Sequence, residues 1–135
     1  HFIVPPGVEK SGKKSWFLEK MHTIQQWYDE LVEALGDCGE SAFEDARFLL
    51  PNAAETKIII TMNARELLHF IQVRCCNRAQ WEIRELATEM LRQVKQVSPL
   101  LFQDAGPGCV NGSCPEGKMT CGKMDEVRTR FKNLS

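Results

Sequence analysis

No stretch of these 135 residues approaches the run of about 18–20 apolar residues that a membrane helix needs. No signal peptide opens the chain. Charge of one sign is missing as well: seventeen Lys and Arg against eighteen Asp and Glu leave a net charge of −1. A field that weak recruits neither nucleic acid nor an anionic membrane by itself. Internal repeats are absent, and no two cysteines show the tight C-x2-C spacing that marks a zinc knuckle. What remains is an ordinary soluble composition, 43% hydrophobic and 26% charged. The length fits a single domain, 1–135, with a real core.

Six cysteines are an even count and could form three disulfides. Reduced thiols are the better reading. The helical patterns bury enough apolar surface without staples, and nothing marks secretion. The expected location is cytoplasmic. The chain starts at His1 inside an extended HFIVPP segment, which reads as a fragment or as a numbering that begins at the first ordered residue.

Residues 1–15, rich in Pro, Gly and Lys, read as an extended arm and loop. Residues 16–35 form an amphipathic helix with Phe17, Met21, Ile24, Tyr28, Leu31, Val32 and Leu35 on one face. Ser15 is its expected N-cap and Gly36 its stop, and Trp27 borders the core. A short helix follows at about 40–49, ended before Pro51. Residues 57–62, KIIITM, are the clearest strand, with a second candidate at 2–4. One strand cannot make a sheet, so its partners must come from other sequence or another subunit. A second long helix spans 79–97, with Ile83, Leu86, Ala87, Met90, Val94 and Val97 as its core face. Trp81 falls opposite, among Arg84, Glu85 and Thr88, which suggests an interface or ligand surface.

Residues 104–123, DAGPGCVNGSCPEGKMTCGK, change character. Cys109, Cys114 and Cys121 are spaced too loosely for a strong zinc reading, even with Cys38 or a histidine as a fourth ligand. An irregular surface wrap with free or adventitiously oxidised thiols and no stoichiometric metal is expected. Residues 125–134 form a short charged helix. The fold class is α+β, predominantly helical: long amphipathic helices on a small sheet.

The chain is organised around residues 61–85, TMNARELLHFIQVRCCNRAQWEIRE. Asn63 is a good N-cap for the helix that follows, with Glu66 at the third position. At about 100° per residue, Leu67, Phe70 and Ile71 share a side, and Arg74 lands in its middle. Arg65 and His69 lie opposite, with Gln72 and Cys76. A guanidinium keeps its proton and is costly to bury unpaired. Arg74 therefore snorkels from the helix end or awaits an anion in a cavity, and pattern alone favours snorkelling. Arg47 sits among Ala46, Phe48, Leu49 and Leu50, where an ion pair with Glu44 or Asp45 is the plain reading.

The strings T-x-N-A-R-E-L-x-H-F-x-x-x-R from Thr61 and A-Q-W-E-I-R from Ala79, with E-D-A-R-F-L-L-P from Glu44, resemble the C-terminal half of flavin-dependent thymidylate synthases. The resemblance runs from about residue 2 to 97. It implies reductive methylation of dUMP to dTMP, with methylenetetrahydrofolate as carbon donor, NADPH as reductant and FAD as cofactor. It makes Arg74 a catalytic residue that orients dUMP and favours ionisation at N3, by preorganised charge rather than covalent attack. Arg47 becomes a second dUMP contact, and Asn63, Arg65 and His69 line the flavin. Sites in this family are built from several chains of a tetramer. Cys75 and Cys76 are rejected as nucleophiles, since no histidine is placed to activate them. The family's Arg-His-Arg block and the Ser-x-Arg that follows it do not occur here, so the fragment alone is expected to be inactive. The alternative is a non-catalytic helical assembly module whose cysteine tail holds a metal.

Overall fold

A computed structural model describes residues 1–36 and 39–134. The chain packs as two compact units, His1–Ile59 and Ile60–Ser135. Seven α-helices are found among the described residues.

In the first unit, α1 (Pro6–Lys10) occupies part of what the Pro/Gly-rich composition suggests is a loop. Proline at its first position lacks an N–H that would go unbonded there anyway. Helix α2 (Lys14–Ala34) starts two residues before the expected boundary, so Ser15 lies inside it and caps nothing. It ends as expected, with Gly36 at φ 86° and its N–H on Glu33 O at 2.9 Å. Met21 is the buried residue of α2, whereas Trp27, expected in the core, is 53% exposed. Helix α3 (Glu40–Ala46) buries Ala42 and Ala46 and continues as a 3-10 turn, Arg47–Leu49.

The expected small sheet is not formed among the described residues. Its one trace is an antiparallel bridge between Phe2 and Ala54. Ile3 N–H donates to Ala53 O at 2.8 Å and Glu55 N–H to His1 O at 3.0 Å. The expected strand 57–62 has no ladder partner, and its Ile59 is 99% exposed. A β-branched run needs a neighbour to become a strand.

The second unit is built on α4 (Ala64–Arg74), α5 (Trp81–Val97), α6 (Pro99–Phe102) and α7 (Met124–Lys132). Its core joins Ile71 and Cys75 to Ala87, Leu91, Phe102, Val127 and Phe131. Gln80 caps α5, its Oε1 accepting from Glu82 N at 3.0 Å and Ile83 N at 3.1 Å. The buried stripe of α5 runs through Ala87 and Leu91, while Leu86 is 53% and Val97 85% exposed. The expected face was thus centred one step off. Arg84 and Thr88, on the side expected to be an interface or ligand surface, are partly buried. Their polar atoms are satisfied: Arg84 donates to Asn77 O at 3.0 Å and Thr88 to Arg84 O at 2.7 Å.

Residues 104–123 are irregular and mostly exposed, as expected, but they are anchored at their start. Ala105, Pro107 and Cys109 are buried, and Ala105 and Cys109 belong to the core cluster. Helix α7 ties the segment down, Arg128 donating to Cys109 O and Gly112 O at 2.8 Å each.

Candidate functional site

Helix α4 begins as its sequence dictates. Asn63 Oδ1 accepts the Glu66 N–H at 2.9 Å, satisfying one of the donors that every helix start leaves open. The N–H groups of the first turn and the positive end of the helix dipole meet there, beside the exposed guanidinium of Arg65. His69 follows one turn on, also exposed.

The expected Leu67–Phe70–Ile71 stripe faces the core, and Leu68 and Cys75 widen it. Ile71 and Cys75 are the buried positions, with Leu68 partly buried alongside Leu67 and Phe70. Cys75, acting as a small hydrophobe, carries the apolar row onward where the pattern placed Arg74. Arg74 is therefore on the shoulder of the packed face. It closes α4 as its last residue, exposed and without an ion pair among the described residues.

Arg47 belongs to the first unit and opens the 3-10 turn after α3. It is exposed beside a groove that Glu44, Asp45 and Phe48 also line. Among the described residues it forms no ion pair with either acid. Arg74, Asn63, Arg65 and His69 all belong to the second unit.

A cavity of about 260 Å³ lies against the face of α4 opposite its core side. His69, Gln72, Val73 and Cys76 supply one wall, and Pro107, Gly108, Cys109, Cys114 and Cys121 the other. Gly108 is required by close approach, since a Cβ there would stand 2.9 Å from Pro115 Cγ. Burial pushes the Cys109 thiol up, and the neighbouring Cys114, Cys76 and Cys121 push in the same direction. Burial also raises the Cys75 thiol, against the Thr88 hydroxyl and the charge of Arg130. Lys95 is lowered by burial, opposed by Asp104, and its Nζ donates to Phe131 O at 3.0 Å and Leu134 O at 3.2 Å. That contact ties α5 to the last turn of α7 and to the chain just beyond it, and is structural.

Sequence reasoning missed that Gln72 and Cys76 join the tail cysteines at one cavity. The available signal was helical: His69, Gln72 and Cys76 recur at i, i+3 and i+7. The tail's side was not legible, because its spacing follows no regular period. Cys38, weighed as a companion ligand, lies outside the described residues.

Chemically, α4 presents two separate sets of donors. Its start and one side present backbone N–H groups, Arg65 and His69. Its end presents the planar fork of Arg74, suited to paired recognition of a carbonyl and an adjacent nitrogen or of an anion.

The family profile described as Thymidylate synthase complementing protein matches residues 1–100. A protein of Geobacter sulfurreducens named Flavin-dependent thymidylate synthase is 57% identical over 133 residues, covering 98% of this chain and 56% of that relative. A protein of the same name from Clostridium tetani is 49% identical, covering 94% of this chain and 56% of its own length. One from Pyrococcus horikoshii is 39% identical, covering 98% and 56%. The chain thus spans a little over half the length of these relatives.

Proposed function

The chain belongs to the thymidylate synthase complementing protein family, its profile matching residues 1–100, and on that footing we propose that it forms part of a flavin-dependent thymidylate synthase. The reaction is reductive methylation of dUMP to dTMP, with methylenetetrahydrofolate supplying the carbon and NADPH the reducing equivalents. The observation that carries this reading is the division of α4: a capped, cationic start with His69 on one side, and an Arg74 at its end that has no ion pair among the described residues.

The residues present suit a flavin. The first turn of α4 keeps N–H groups that the Asn63 cap does not use, and Arg65 adds a positive charge for carbonyls or phosphates. Asn63, Arg65 and His69 would hold it. When bound, the flavin supplies the redox chemistry of the methyl transfer. Arg74 holds the pyrimidine edge of dUMP, its paired N–H donors stabilising negative charge as N3 ionises and C5 gains nucleophilic character. Arg47, exposed and without an acidic partner among the described residues, is a second dUMP contact.

The assembly is a homo-oligomer, a tetramer whose sites draw on several chains. Exposed apolar surface supports this: Ile58, Ile59 and Ile60 have no ladder, and Phe48 is 93% exposed. Among the described residues no helix is long and apolar enough to cross a membrane.

The second reading keeps Arg74 as a cation that complements the negative end of the α4 dipole, in a non-catalytic assembly module. Spectra and turnover separate the two. The natural protein, purified intact, should show bound flavin and form dTMP only when dUMP, methylenetetrahydrofolate and NADPH are all present. A colourless protein that takes up no added flavin would exclude the enzyme reading.

A further inference from the structure

Four thiols stand round the cavity beside α4. Cys76 comes from the end of that helix, and Cys109, Cys114 and Cys121 come from the irregular segment before α7. The remaining described thiol, Cys75, is turned into the core instead. Cys114, Cys76 and Cys121 all lie close enough to act on Cys109 electrostatically. Asn77 Nδ2 donates to Cys121 Sγ at 3.8 Å, the kind of contact that orients a sulfur ligand.

The segment that carries three of the four needs an explanation of its own. Between α6 and α7 the only regular element is a 3-10 turn, Gly117–Met119. Yet Ala105, Pro107 and Cys109 are packed into the core. A connection this long without regular structure is uncommon inside a compact unit and is usually functional.

We propose that Cys76, Cys109, Cys114 and Cys121 are the four ligands of a tetrathiolate metal site that takes zinc or iron. Soft thiolate donors select these metals over magnesium or calcium. The loose spacing in the tail, which argues against a zinc knuckle, is no obstacle once the fourth ligand comes from α4. Among the described residues no three potential ligand groups already stand at coordination distance. Each cysteine carries its sulfur on a single χ1 torsion with three staggered positions, and the proposed site requires these to turn toward the cavity on binding. Binding replaces four S–H bonds with four metal–sulfur bonds and releases four protons, so a divalent ion leaves the centre at a net charge of −2. The four thiols are none of the side chains assigned to dUMP or flavin above, although His69, assigned to the flavin, also lines this cavity. The inference concerns mainly residues beyond the family-matched stretch 1–100.

The test uses the intact natural protein, purified without chelator from cells supplied with zinc and iron. Elemental analysis should find about one zinc or one iron per chain, or several irons with matching acid-labile sulfide if the centre is a cluster. Cys114→Ser and Cys121→Ser should each lower the metal content at least tenfold, and Cys75→Ala should retain it. Because the serine variants can disturb the segment's fold, chelator-treated unaltered protein should also be titrated with cobalt(II). A saturating sulfur-to-cobalt charge-transfer band of tetrathiolate intensity supports the site. Background metal together with no such band overturns it. So does a disulfide among Cys109, Cys114 and Cys121 in the protein as isolated.

Discussion

Gly108 shows how tightly the irregular segment is fitted. A Cβ at this position would meet Pro115 Cγ at 2.9 Å, whereas one at Gly112 would meet nothing within 4 Å. Gly108→Ala should therefore destabilise by about 1–3 kcal/mol through overpacking. Gly112→Ala should be near neutral, and urea melts of the two variants check the contrast. Cys75 makes a prediction in pH. Burial raises its folded-state pKa above the unfolded value, so its stabilising contribution is complete below the unfolded pKa. That contribution is lost as pH rises through the folded one. Alkaline melts should lose stability above the ordinary thiol range, and Cys75→Ala should show a shallower loss despite a lower starting value. An equal slope in both proteins would remove Cys75 from the account.

Helix α4 separates what its sequence announces from what only packing decides. The Asn63 cap with Glu66 at the third position was legible, because capping is a local matter of side-chain reach. The Leu67–Phe70–Ile71 side was legible as well, but not that Cys75 carries it on as a packed apolar residue. In α5 the exposed Leu86 and Val97 and the buried Leu91 make the same point, since several faces of that helix carry apolar residues. The strand at 57–62 was read from β-branched content alone, which names a tendency but supplies no partner. For the candidate site, Arg74, Arg65 and His69 were legible as two sides of one helix. The thiol-lined cavity was not, because its two walls are far apart in the chain. Asn63→Ala should cost about 1 kcal/mol, and Asn63→Ser should recover most of it by restoring the cap acceptor. If Asn63 also touches flavin, the serine variant regains stability but not full flavin affinity, as thermal melts and flavin titration would show.

At the scale of the whole molecule, the unladdered isoleucines at 58–60 and the exposed Phe48 call for a covering surface. Light scattering of the natural protein should report a tetramer, and a monomer at micromolar concentration would count against the shared-site account. The central claim is that α4 gives its end to the pyrimidine and its start to the flavin, and Arg74→Lys tests it most directly. Lysine keeps the charge that complements the helix dipole but loses the planar fork and its paired donors. Loss of one preorganised contact of this kind typically costs about 3–4 kcal/mol of transition-state stabilisation, or roughly 10² to 10³ in rate. The natural protein carrying Arg74→Lys should therefore fold, keep its flavin and turn over dUMP at least about a hundredfold more slowly. Near-normal turnover would contradict the catalytic role of Arg74, and loss of flavin together with activity would contradict the division of the helix.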